Sequence, residues 1–73
     1  MPHALEKFEK LFIGEQIKKA RAKIGMTQKE LAKKLNTSQS VIARIEIGKQ
    51  NLTIGRLVLI AQALRKKLYI RLQ

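Results

Sequence analysis

The sequence predicts a mainly α fold of four to five short helices, closed by one C-terminal β-strand. Two observations predict it. Apolar residues recur at three- and four-residue spacing in successive stretches, each bounded by a capping Ser or Thr or by Gly or Asn. Only the last stretch, residues 67–73, changes to a period of two: Leu68, Ile70 and Leu72 alternate with Tyr69, Arg71 and Gln73. With 73 residues there is room for one domain. It divides into an N-terminal amphipathic segment (1–12), a helical domain (13–66) and the terminal strand (67–73).

The first helix is read over residues 4–12, where Leu5, Phe8, Leu11 and Phe12 share a face. That face either covers the core of its own domain or docks another protein. Ile13, Ile17, Ala20 and Ile24 form the apolar stripe of the next helix, and Gly25 can supply its left-handed end. Gly14 either separates these two helices or lies within a continuous one. Lys18, Lys19, Arg21 and Lys23 line the opposite side.

Residues 27–48, TQKELAKKLNTSQSVIARIEIG, form the centre of the chain. Thr27 followed by Glu30 is a capping box, so a helix begins at Gln28 and buries Leu31, Ala32 and Leu35. Asn36 tolerates the left-handed backbone that ends a helix abruptly. Ser38 caps the following helix, whose core residues are Ile42 and Ile45. Ala32 is small enough to let the two helices cross closely. Two short helices, a tight turn and a small residue at the crossing make a helix-turn-helix. Beyond the loop at residues 48–51, Thr53 caps a last helix with Ile54, Leu57, Ile60, Ala61 and Leu64 on its core face. Gly55 and Arg56 weaken its first turn, where the helix dipole favours an acid. Arg56 there reaches either a phosphate or solvent.

The chemistry of this chain is cationic rather than catalytic. Sixteen Lys and Arg against five Asp and Glu give a formal charge of +11, spread over nearly every helix. Such a surface attracts polyanions in a salt-dependent way. There is no cysteine and no aspartate, and the one histidine, His3, has no second ligand candidate beside it. No enzyme activity, metal or cofactor is therefore expected. Apolar runs are too short for a bilayer and no signal-peptide pattern is present, so the default location is cytoplasmic.

Gln39, Ser40, Val41 and Arg44 lie outside the Ile42/Ile45 stripe, toward the start of the second motif helix. These residue types suit the major groove: Gln pairs with adenine, Arg with guanine, and Val meets a thymine methyl. Gln28, through its backbone N–H and amide, with Ser38 and Lys49, would hold phosphates.

The stretch resembles the lambda-repressor-like, or Xre-type, helix-turn-helix DNA-binding family. The matching residues are G-x-T-Q-x-E-L-A (Gly25, Thr27, Gln28, Glu30, Leu31, Ala32) and S-x-x-x-R-I-E-x-G (Ser40, Arg44, Ile45, Glu46, Gly48). The likeness continues through GKQNLT and covers residues 13–64. It implies a repressor that binds duplex DNA, and a pair between Arg21 and Glu46 that leaves Arg21 near a phosphate. The run from Ala43 onward also looks like the C-terminal half of antitoxin-like members, which bind a toxin protein and repress their own operon. The terminal strand has no partner strand in its own chain. Leu68, Tyr69, Ile70, Arg71 and Leu72 are therefore expected to pair with a second copy, giving a homodimer on a near-palindromic operator.

Overall fold

The computed structural model describes residues 6–69, which form four helices: α1 (Lys7–Lys23), α2 (Gln28–Lys34), α3 (Gln39–Glu46) and α4 (Ile54–Ala63). Within the N-terminal segment, residues 7–12 are therefore not a separate helix. They are the first part of α1, which runs uninterrupted through Gly14. Residues 1–5, including Leu5, lie outside the described part of the chain.

Each helix begins at a side chain that the sequence marks as a cap, or at a glutamate that serves as one. Glu6 N–H donates to the Glu9 carboxylate at 2.8 Å at the start of α1. The capping box of α2 is reciprocal: Glu30 N–H donates to Thr27 Oγ1 at 3.0 Å, and Thr27 N–H to Glu30 Oε1 at 2.9 Å. Ser38 Oγ accepts from Val41 N–H at 3.3 Å and Thr53 Oγ1 from Arg56 N–H at 3.2 Å. The ends are equally regular. Gly25, Asn36, Gly48 and Arg65 all adopt positive φ just after a helix. In each case the next N–H reaches back to a carbonyl of the last turn: Met26 to Arg21, Thr37 to Ala32, Lys49 to Arg44 and Lys66 to Ala61. Arg65 is the one of the four that sequence reasoning does not mark. A cation there costs the strain of an L side chain in the left-handed region, which glycine would avoid.

The core comprises Ile17, Leu31, Ala32, Ile42, Ile45, Leu52, Leu57, Ile60 and Leu64. Its fully enclosed members, such as Leu31, Ile42 and Ile60, each stabilise the fold by roughly 1.5–3 kcal/mol. Ala32 is 3 % exposed at the α2–α3 crossing, where a larger side chain would hold the helices apart. Three assignments of the sequence shift. Leu52, in the loop before α4, is buried although no periodicity marks it. Ile54 and Ile24 stand exposed instead of joining the core stripe; Ile54 is the first residue of α4 and Ile24 the cap that ends α1.

No strand is found among the described residues. Lys66–Tyr69 follow α4 without regular structure, and residues 70–73 lie outside the described part. The strand expected over residues 67–73 is not formed at Lys67–Tyr69, and Ile70, Arg71 and Leu72 lie outside the described residues. Alternation sets which face is apolar, but a strand also needs a neighbour for its N–H and C=O groups, and no strand lies among the described residues to supply one.

Candidate nucleic-acid interface

α3 presents its first turn outward. Gln39, Ser40 and Arg44 are exposed on it, while Ile42 and Ile45 hold the opposite side in the core. Val41 is shared: it is half-buried and packs against the core, so only part of it faces outward. Ser38 and Ser40 hydroxyls lie 3.0 Å apart at the start of the helix, and Arg44 Nη2 approaches the Lys49 carbonyl at 3.5 Å. Lys49 itself is exposed. Gln28, Ser38, Gln39, Ser40, Arg44 and Lys49 therefore occupy neighbouring positions on the start of α2, the turn into α3 and the loop after it. Leu68 and Tyr69 lie on a surface that none of these residues lines. They border a groove of about 670 Å³ between α1, α4 and the segment after α4.

Behind α3 lies an ion pair that fixes its position. Arg21 Nε donates to Glu46 Oε2 at 2.6 Å, Nη2 to Glu46 Oε1 at 3.0 Å, and Nη1 to the Met26 carbonyl at 2.7 Å. The Glu46 side chain is only 1 % exposed and that of Arg21 13 %. The bond to Glu46 raises the pKa of the guanidinium above its ordinary value, against a smaller opposing effect of burial. Arg21 thereby joins the C-terminal part of α1, the turn before α2 and the end of α3. Most of its N–H groups are engaged inside the protein.

Gln28 has a role that sequence reasoning misses. Its Nε2 donates to Glu46 Oε1 at 3.0 Å, and its Oε1 faces Gln39 Nε2 at 3.5 Å. The side chain therefore bridges the ion pair and the first residue of α3. No local signal carries this contact, because residues 28, 39 and 46 meet only through the crossing of α2 and α3. Among the described residues no cluster of three His, Cys, Asp or Glu could hold a metal ion, and no helix is long and apolar enough to cross a membrane.

Residues 17–70 match the helix-turn-helix family. The chain belongs to the Xre-type helix-turn-helix family. It is thus a DNA-binding regulator by family, not a member of an enzyme family. Solved structures place it alongside restriction-modification controller proteins. The wild-type controller C.Esp1396I is 40 % identical, with 85 % of this chain and 82 % of that chain covered and a TM-score of 0.78. The tetramer of C.Esp1396I in complex with its natural 35 base-pair operator aligns at 40 % identity, over 85 % and 82 % of the two chains, with a TM-score of 0.76. The controller C.AhdI from Aeromonas hydrophila, 21 % identical over 84 % of this chain and 88 % of that one, shares the fold with a TM-score of 0.77. No curated protein matches this helix-turn-helix chain.

Proposed function

We propose that this regulator is a repressor of the controller type, binding a near-palindromic operator as a homodimer. Gln39, Ser40, Arg44 and the outward part of Val41 read base edges in the major groove. Gln28, Ser38, Lys49 and the remaining N–H groups of Arg21 hold backbone phosphates on either side. The observation that carries this reading is the exposed polar turn at the start of α3, anchored from behind by a buried carboxylate. Its 40 % identity to a controller crystallised on its operator supports the choice of duplex DNA as ligand. The +11 charge supplies the sequence-independent part of the affinity.

A twofold operator calls for a second copy, and the surface that carries the aromatics suits it. All three aromatic residues of the chain, Phe8, Phe12 and Tyr69, are more than half exposed, and none is in the core. Phe12 and Tyr69 border the same groove, with Phe8 one turn before Phe12. Aromatic side chains outside a core are characteristic of the centres of protein interfaces. Two copies on such an operator would set their α3 helices on half-sites about 34 Å apart. Selection from a random duplex library tests the whole reading. A twofold-related motif is expected, and Arg44→Ala should relax one base position in each half-site. Selection of no motif by the wild-type chain would refute it.

A further inference from the structure

We propose that the groove between α1 and α4 is a second binding site, for a small amphipathic carboxylate whose acyl chain lies along the groove and whose head group meets a rim of lysines. This site stands apart from the DNA reading, because no residue of α2 or α3 lines the groove.

The opening follows from how the helices pack. α1 and α2 both pack closely on α3, whereas α4 stands off from α1. The gap between them holds about 670 Å³, within the range of about 300–1,000 Å³ that small-molecule sites occupy. Its floor is the core itself, at Ile17, Leu57, Ile60 and Leu64. Its walls are apolar too, with Phe12, Ile13 and Ala20 on one side and Ile54 and Leu68 on the other. From Phe12 to Lys23 the helix rises about 16 Å, room for an extended acyl chain.

The rim carries one sign of charge. Lys19 and Lys23 of α1 and Lys66 and Lys67 after α4 are exposed around the groove, against a single acid, Glu9. A lysine at the end of α1 also answers the helix dipole, but Lys19 stands a turn earlier and Lys66 and Lys67 lie beyond α4. Lysine stems extend the apolar walls while their ammonium groups stay at the mouth. Apolar below and cationic above, the groove complements a carboxylate on a hydrocarbon chain. A hydrophobic cation would meet like charge, and a nucleic acid would leave the floor unfilled. A flat bilayer does not enter a recess between two helices. A second copy touching the border at Phe12 and Tyr69 brings the same lysines, so it does not supply the missing anion.

Dodecanoate, kept below its micelle concentration, is the probe. Tyr69 borders the groove and is the only tyrosine in a chain without tryptophan, so its fluorescence reads this site. Titration of the full chain should give a saturable change, with helicity by circular dichroism unchanged. Dodecylammonium should bind roughly tenfold more weakly, since each rim lysine then repels. The double variant Lys66→Gln, Lys67→Gln, altered only at exposed positions, should bind dodecanoate roughly three- to tenfold more weakly. Ala20→Phe, which fills the groove from α1, should abolish binding. Equal binding of the ammonium amphiphile, or of dodecanoate by the double variant, would overturn the proposal. So would a response to phosphatidylglycerol vesicles alone, which would mark a membrane surface. If dodecanoate binds Phe12→Ser but not the wild type, a second copy holds the groove; if it binds neither, the groove takes no such ligand. Either result also overturns the proposal, and neither alters the outcome of the duplex-library selection.

Discussion

Gly14 and Glu46 meet backbone to backbone: a Cβ placed on Gly14 would lie 2.8 Å from the Glu46 carbonyl oxygen. The close approach of α1 to the end of α3 explains why a glycine sits in the middle of a 17-residue helix. It also sets the position of the α3 C-terminus, from which the Glu46 side chain reaches Arg21.

Gly14→Ala should therefore destabilise the protein. Alanine gains up to about 1 kcal/mol in helix propensity. Overpacking against backbone, which cannot swing aside as a side chain would, costs about 1–3 kcal/mol. A net loss is expected in urea unfolding, and a stabilised variant would contradict the close contact.

Arg21→Ala leaves the Glu46 carboxylate buried with Gln28 as its one remaining side-chain donor. Breaking a buried pair in this way costs about 3–5 kcal/mol. A double-mutant cycle with Glu46→Gln should show coupling of more than about 1 kcal/mol in unfolding free energy. Additive effects would mean the pair holds nothing in place.

Acid should weaken the start of α2. Hydrogen bonds from the Thr27 backbone N–H, and with its side chain, hold the Glu30 carboxyl below its ordinary pKa. The folded value is the lower one, so this contribution is fully present above the ordinary glutamate range and is lost as pH falls through the folded value. Glu30→Gln should accordingly lose less stability than the wild type on acidification, measured by thermal unfolding at stepped pH.

Lys49 and Arg44 should separate in DNA binding. Arg44→Ala is expected to cost about 1–3 kcal/mol on the selected sequence and little on random duplex. Lys49→Ala should weaken both alike and reduce the slope of log affinity against log salt by about 1. Fluorescence anisotropy at several salt concentrations reads both.

Phe12→Ser should yield a monomer. Phe12 is 67 % exposed, so its loss leaves the core untouched. The wild type is expected to sediment as a dimer at micromolar concentration and the variant as a single chain, with unchanged helicity. A wild-type monomer on free DNA-less protein would remove the aromatic face as a dimer surface.

Sequence by itself determined the helices of the motif and most of their ends. Thr27, Glu30, Ser38 and Thr53 act within one turn, and Gly25, Asn36 and Gly48 act through their own backbone, so their roles are local and legible. The apolar stripe of α3 was likewise legible, and with it the exposed turn opposite. Tertiary structure alone decided the rest. Gly14 leaves two helices or one continuous helix open until α3 is packed against it. Leu52 has no periodic neighbours, yet it is enclosed because the loop before α4 crosses the core. Alternation at 67–73 promised a strand, yet Lys67–Tyr69 are irregular, because a strand depends on a partner that lies outside the segment's own sequence. The bridge from Glu46 through Gln28 to Gln39 spans residues far apart in the chain. Such contacts depend on how helices cross, and local sequence fixes each helix without fixing the crossing.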